Sequence, residues 1–318
     1  MYKPVTTLTD FVLEEERKSK DATGDFTMLI THIENAVKII ASHVRMSGLV
    51  DIMGATGNKN AFGEDVQKLD EFANKLLVDN LRKSGHVYAV ISEEMEKPAY
   101  AKEGQRGAYI VYIDPLDGSS NIDTNCPTGT IFSIYKTDGD NLLQKGSRQV
   151  AAGYAIYGSS VMLVYSAGNG VNGFTLDPNI GSFLLSHPDI KIPQKMKSYS
   201  INEAYESLYD EGLKSYLAYV RQTGGYTSRY VGSGVADAHR TLVKGGIFLY
   251  PANKKHKEGK LRLMLEVNPL AYLAEQAGGV AVSLNKTSPL TILPTKIHQR
   301  APFVMGSREE VDLFLKYA

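Results

Sequence analysis

The chain has 318 residues, 43% of them apolar, with Lys+Arg and Asp+Glu balanced at 35 each. That length fits one large domain or two ordinary ones with a full core, and the balance excludes a general pull toward nucleic acid or an anionic membrane. A lone Cys126 excludes an internal disulfide framework, no apolar run is long enough to span a bilayer, and Met1 lies too close to the first helical pattern for a signal peptide, so a soluble cytoplasmic protein is expected.

In chain order, residues 9–18 read as a short amphipathic helix and 20–24 as a break. A long helix over 25–45 follows, with Phe26, Leu29, Ile30, Ile33, Val37, Ile40 and Val44 at helical spacing. Its start offers free amides, hydroxyls and a positive dipole end, which can hold an anion, although such a start is more often just a capped helix. Residues 48–65 are rich in Gly, Asn and Ala and lack a period; a loop this long is usually functional or mobile. A helix carrying Leu69, Phe72, Leu76, Leu77 and Leu81 stops at Gly85, with Asp70 in its first turn.

Residues 87–91 form an apolar strand ending in Ser92-Glu93-Glu94. Residues 109–113 form another, running into Asp114-Pro115-Leu116-Asp117-Gly118-Ser119-Ser120-Asn121. Pro115, with no N–H to donate, is expected to stop it. Two consecutive strands thus end in paired acids, and like charges placed together make little sense as core. A hard cation, Mg²⁺ or Mn²⁺, held by carboxylate and carbonyl oxygens and bridging to a phosphate in the Gly-Ser-Ser cradle, accounts for them better than a polar turn.

Strands are expected at 130–135, at 150–157 paired with 161–166 as a hairpin, and at 171–176 and 183–185. This meander lacks a βαβ rhythm, so a mixed sheet with helices is the expected class, α/β in character. Residues 187–197, with two prolines and several lysines, read as a linker, dividing the chain into 1–192 and 193–318. Helices follow near 213–220 and 235–244, then a strand at 247–251. Asn268 is expected to cap the next helix with Pro269 opening it, and Ser307 with Glu310 to form a capping box for the last one.

The run from Asp114 to Asp123 closely resembles the signature of class I fructose-1,6-bisphosphatase. Lys68-Leu69-Asp70, Ser92-Glu93-Glu94, the segments 229–240, 245–255, 259–263 and 297–302 agree with the same family, so the likeness covers nearly the whole chain. It implies a Mg²⁺-dependent hydrolase of fructose 1,6-bisphosphate, acting in gluconeogenesis and assembled as a homotetramer. Its fold would layer helices and mixed sheets in two halves. It places metal ligands, for more than one ion, on Glu93, Glu94, Asp114, the Leu116 carbonyl, Asp117 and Glu266. Asp70 and Glu94 would take the proton of the attacking water, and Glu64 would assist the metals when its loop closes. Gly118, Ser119 and Ser120, beside Asp117, would hold the phosphate being cleaved. Asn202, Tyr205, Tyr230, Tyr250 and Arg229 would meet the second phosphate, Arg229 from a neighbouring subunit, and Lys260 would contact the sugar.

Thr23, Gly24, Asp25, Thr27, Tyr109 and Lys136 match or replace residues of the family's AMP site. Ala108 stands where the family has a phosphate-pairing lysine, so weak AMP inhibition or none is expected. Gly234 stands where the family has a methionine against the sugar. Rival readings are a sedoheptulose-1,7-bisphosphatase, an inositol phosphatase of the same superfamily, and a catalytically dead AMP-sensing scaffold.

Overall fold

The computed structural model describes residues 5–18, 22–47, 49, 55–59 and 65–317. Its centre is an eight-stranded mixed sheet. In spatial order the strands are Ser182–Ile190, Val171–Asp177, Val161–Ser166, Gln149–Tyr157, Thr128–Lys136, Tyr109–Asp117, Val87–Ser92 and Ala99–Tyr100. Only the Val87–Ser92 and Tyr109–Asp117 pair within it is parallel. Two parallel neighbours therefore end side by side, which brings their terminal acids to one edge of the sheet.

Alternation along these strands feeds two cores. Val111, Ile113, Phe132 and Ile134 point to one face, where helices Leu8–Glu16, Asp25–Arg45 and Lys68–Lys83 bury Val12, Leu29, Ile33, Val37, Ile40, Leu77 and Leu81. Each such aliphatic side chain stabilises by roughly 1.5–3 kcal/mol on leaving water. Ile131, Ala152, Tyr154 and Val164 point to the other face, onto helices Gly234–Lys244 and Asn268–Gln276. A five-stranded sheet lies behind those helices, ordered Thr227–Ser228, Ser198–Ser200, Ile247–Tyr250, Phe303–Gly306 and Val280–Val282. Its outer face is covered by helices Glu211–Gln222 and Arg308–Phe314. The result is a helix, sheet, helix, sheet, helix stack of mixed α/β class, and one core runs across both halves of the chain.

Several local expectations change on the way. Strand Ser182–Ile190 runs through residues expected to begin the linker. Ala55–Lys59, inside the expected loop, pairs antiparallel with Asp65–Gln67 at the loop's end. Val267 is already helical, because a π-helical turn Leu263–Val267 runs straight into Asn268–Gln276; Asn268 thus has no free end to cap. Ser307 accepts from Gly246 N–H at 3.0 Å and donates to the Pro193 carbonyl, while Glu310 accepts from Tyr226 Oη at 2.7 Å, so no capping box forms. At Ser307 tertiary partners outcompete the local ones; at Asn268 the preceding turn removes the helix end itself.

Pro115 does not stop its strand. Tyr109–Asp117 continues through it, with Asp114 opposite Ile131 and Asp117 opposite Gly129. Three steps on one strand face two on its neighbour, which is a one-residue bulge at the place where proline's missing N–H costs nothing. Leu116 N–H turns in to Asp114 Oδ1 at 3.1 Å, and the Pro115 carbonyl takes the Thr130 hydroxyl at 2.8 Å.

Candidate active site

Asp114 and Asp117 are an odd number of residues apart and would face opposite sides of a regular strand. The bulge brings them to one side. Glu93 arrives from the loop after Val87–Ser92, its N–H held by the Ile113 carbonyl at 3.0 Å, and Glu266 from the π-helical turn behind. Carboxylate oxygens of Glu93, Asp114 and Glu266 all lie within 4.8 Å of one another.

Burial governs their electrostatics. Asp114 and Glu266 are each 4% exposed. Burial first, then the charge of Glu93, holds both well above the usual carboxylate range, with Asp117 and Glu266 adding to the effect at Asp114. Asp117 is pushed up to about 6 by burial, opposed by the Val235 N–H and the Ser233 hydroxyl. Those two donate to Asp117 Oδ2 at 2.8 and 2.7 Å from the start of helix Gly234–Lys244, whose positive end faces the carboxylate. Buried carboxylates this close are expensive without a cation, and an all-oxygen set is the donor chemistry of a hard divalent ion. The residues present therefore fit a metal.

One cation is already there. Arg262, 4% exposed, donates from Nη1 to Glu93 Oε1 and stands 3.9 Å from Glu266 Oε2; its backbone N–H donates to the same Glu266 oxygen at 2.6 Å. Sequence reading gave Arg262 no role. The available signal was an arginine inside the apolar run Leu261-Arg262-Leu263-Met264-Leu265, where only a buried acid would welcome it.

Raised carboxylate pKa values make the metal-free cluster cost stability as pH rises. Between its unfolded value and its folded one, each acid loses its proton in the unfolded chain and keeps it in the fold; for Asp117 that window runs from 3.8 to about 6. A bound cation reverses the preference and releases protons. Millimolar Mg²⁺ should therefore raise the melting temperature more at about pH 8 than at about pH 5. Equal shifts at both pH values in a thermal scan would sink the assignment.

The remaining expected residues divide as follows. Leu116 is buried at the bulge. Gly118 takes φ 75° and opens the 3₁₀ turn Ser119–Thr124; a Cβ there would come within 2.6 Å of Ser233 Cβ, so glycine is required. Asp70 is buried in the first turn of Lys68–Lys83, against the same strands, and both it and Glu94 are engaged with other groups. Glu64 lies outside the described residues. Asn202, Tyr205, Tyr230, Tyr250 and Lys260 line one cleft together with Tyr209, Asn253 and His256, which the sequence did not single out. Burial raises the Tyr250 and Tyr230 phenols, with the charge of Asp117 adding to both, and Ser233, three residues after Tyr230, donates to Asp117 Oδ2 at 2.7 Å, so the cleft borders the acids. Arg229 is exposed and outside this cleft, its Nη1 donating to the Ser228 carbonyl at 2.9 Å. Asp237, unremarked in the sequence, ties down the loop between: it accepts from Ser200 Oγ at 2.7 Å and from the Val231 and Gly232 amides at 2.9 Å each.

Of the residues expected to bind an effector, Thr23, Gly24, Asp25 and Thr27 lie at the start of helix Asp25–Arg45, and Tyr109 packs against Phe26. Lys136, exposed, is the cross-strand partner of Tyr109.

Residues 6–188 match the family profile "Fructose-1-6-bisphosphatase, N-terminal domain", and residues 192–318 match "Fructose-1-6-bisphosphatase, C-terminal domain". The chain is 55% identical over 314 residues to a protein named fructose-1,6-bisphosphatase class 1 from Persephonella marina, covering 98% of this chain and 97% of that one. A protein of the same name from a Sulfurihydrogenibium species is 55% identical over 309 residues, covering 96% and 95%. Among solved structures, Leishmania major fructose-1,6-bisphosphatase in its holo form superposes with a TM-score of 0.94 at 41% identity, over 99% of both chains. Two family profiles spanning both halves, relatives at this identity and a superposition of this extent agree: the chain is a member of the class 1 fructose-1,6-bisphosphatase family.

Proposed function

We propose that the chain removes the 1-phosphate of fructose 1,6-bisphosphate, giving fructose 6-phosphate and inorganic phosphate, as a phosphoric monoester hydrolase of gluconeogenesis. The observation that carries the reading is the meeting of two unlike sites, a buried acid cluster and a cleft of tyrosines, amides and Lys260 that borders it. A bisphosphate needs one place where an ester bond is cut and another where the second anion is held. Neither a seven-carbon bisphosphate nor an inositol phosphate is favoured, and a catalytically dead scaffold does not fit an enzyme family.

Glu93, Glu94, Asp114, the Leu116 carbonyl, Asp117 and Glu266 would hold Mg²⁺, more than one ion per subunit, with Mn²⁺ as a substitute. Divalent ions bound there neutralise charge on the phosphoryl oxygens and lower the pKa of a coordinated water. Gly118, Ser119 and Ser120 seat the phosphate, Asp70 and Glu94 accept the proton of the attacking water, and Glu64 assists the metals. Asn202, Tyr205, Tyr230 and Tyr250 hold the second phosphate, and Lys260 orients the sugar. The exposed position of Arg229 supports its reaching into a neighbour's cleft in a homotetramer. Residues 1–192 then form the metal-bearing half and 193–318 the sugar-bisphosphate half. The placement is cytoplasmic, and AMP inhibits weakly or not at all. Among the described residues no helix is long and apolar enough to cross a membrane.

Phosphate release from fructose 1,6-bisphosphate with Mg²⁺ tests the reading. Release that persists undiminished in excess chelator would overturn it. Replacing Lys260 by Ala should raise KM by roughly 10- to 100-fold, the loss of one charge-assisted hydrogen bond, while kcat changes little. Steady-state kinetics on the bisphosphate separates the two constants, and an unchanged KM removes Lys260 from the substrate cleft.

A further inference from the structure

The first turn of helix Gly234–Lys244 faces two ways. Ser233, its N-cap residue, gives its hydroxyl to Asp117 on the acid side. Asp237, also in that turn, serves the side of the tyrosine cleft. Its Oδ1 accepts the Ser200 hydroxyl at 2.7 Å and the Val231 N–H at 2.9 Å, and its Oδ2 accepts the Gly232 N–H at 2.9 Å. Burial pushes the carboxyl up, opposed by these three donors and the Ser233 N–H. The backbone is fixed as well: the Asp237 N–H donates to the Ser233 carbonyl at 3.0 Å, and the Asp237 carbonyl accepts the Thr241 hydroxyl at 2.9 Å. Asp237 is buried among these neutral donors, and only a carboxylate accepts on both oxygens at once.

The two segments that meet on Asp237 carry opposite walls of the cleft. Ser200 ends strand Ser198–Ser200, two residues before Asn202, and Val231 and Gly232 directly follow Tyr230. Asn202 and Tyr230 both line the cleft, and the Asn202 side chain stands close enough to the Tyr230 phenol to oppose the effect of its burial. Asn202 is locked in place, its Oδ1 accepting the Ala204 N–H at 3.1 Å and its carbonyl the Tyr209 hydroxyl at 2.7 Å. The Tyr230 wall buries little. Residues 229–232 are all exposed, and Gly232 takes φ 89°. A segment with so few buried contacts takes its order from polar ties. Here these are the Arg229 N–H on the Tyr199 carbonyl at 2.8 Å and the two amides on Asp237.

We propose that Asp237 is a positioning residue for the second phosphate: it docks the Tyr230 wall of the cleft onto the Asn202 wall, from the same helix turn that holds Asp117. The proposal rests on the reading of the cleft as the second-phosphate site. It gives Asp237 no contact with substrate and no part in cutting the ester bond. Exchanging Asp237 for Asn sets an NH₂ group against one of the two loop amides in either orientation of the side chain, donor against donor. The Tyr230 wall then loosens, while Ser233 and Val235 still hold Asp117.

The test is steady-state kinetics of the full chain with Mg²⁺, native against Asp237→Asn, with fructose 6-phosphate and inorganic phosphate as inhibitors. KM for fructose 1,6-bisphosphate and the inhibition constant of fructose 6-phosphate should rise together, on the order of tenfold, with kcat within about threefold of native. The inhibition constant of inorganic phosphate, which needs only the acid side, should stay within about twofold. General loosening of the fold would instead lower kcat and weaken both inhibitors, and that result overturns the proposal, as does an unchanged KM. Lys260→Ala, run beside it, reads the cleft itself. A raised KM there with none in Asp237→Asn overturns the positioning role alone, and no rise in either overturns the cleft reading with it. Should Asp237→Asn fail to fold, Ser200→Ala cuts the tie between the walls and leaves both loop amides on the carboxylate. A KM rise of about threefold or more with kcat held is then expected, and no rise overturns the proposal.

Discussion

Exchanging Asp117 for Asn is expected to lower kcat for phosphate release by on the order of 10³-fold while leaving the fold intact. The amide is nearly isosteric, and its oxygen can still accept from Ser233 Oγ and the Val235 N–H, the two bonds that fix the side chain. What disappears is the negative charge facing the other acids. Burial already pushes Asp117 up to about 6, so the metal-free fold gives up little by losing that charge. The variant should melt within about 1 kcal/mol of native in the absence of Mg²⁺ and show a smaller Mg²⁺-induced rise. Steady-state kinetics and thermal scans read the two effects separately. Retention of more than about a tenth of native turnover would remove Asp117 from the metal site.

Removing Arg262 should act mainly on stability. Its guanidinium is buried between Glu93 and Glu266, and an Arg262→Ala variant leaves two carboxylates without it in a site already crowded with acid. Breaking a buried ion pair from one side typically costs about 3–5 kcal/mol, a drop in melting temperature on the order of 10 °C for a chain of this size. Divalent ions should restore more stability in the variant than in native protein, because they supply the missing charge. A variant that melts like native without metal would show that Glu93 and Glu266 are neutralised some other way.

Glu93 and Asp114 were legible from sequence because two strand ends rich in carboxylate have few structural explanations; Glu266 was named only through family likeness, and the three do converge. The tyrosine cleft was legible only through family likeness, since nothing in the spacing of Asn202, Tyr230, Tyr250 and Lys260 predicts that they line one surface. Arg262 escaped because its meaning depends on partners 169 residues away for Glu93. Ser307 was misread for the same reason, and Asn268 because a π-helical turn directly before it leaves no free helix end.

The extra residue between Asp114 and Asp117 has a consequence for how such a site can change. The chemistry there depends on a parity, odd spacing made to behave as even, rather than on the acids alone. Deleting Leu116 would leave the two aspartates two residues apart opposite Ile131 and Gly129, still on one face by plain alternation, so what it withdraws is the carbonyl expected to bind metal. A one-codon deletion would thus leave every charged group in the chain and both aspartates on one side, yet take away the backbone oxygen between them.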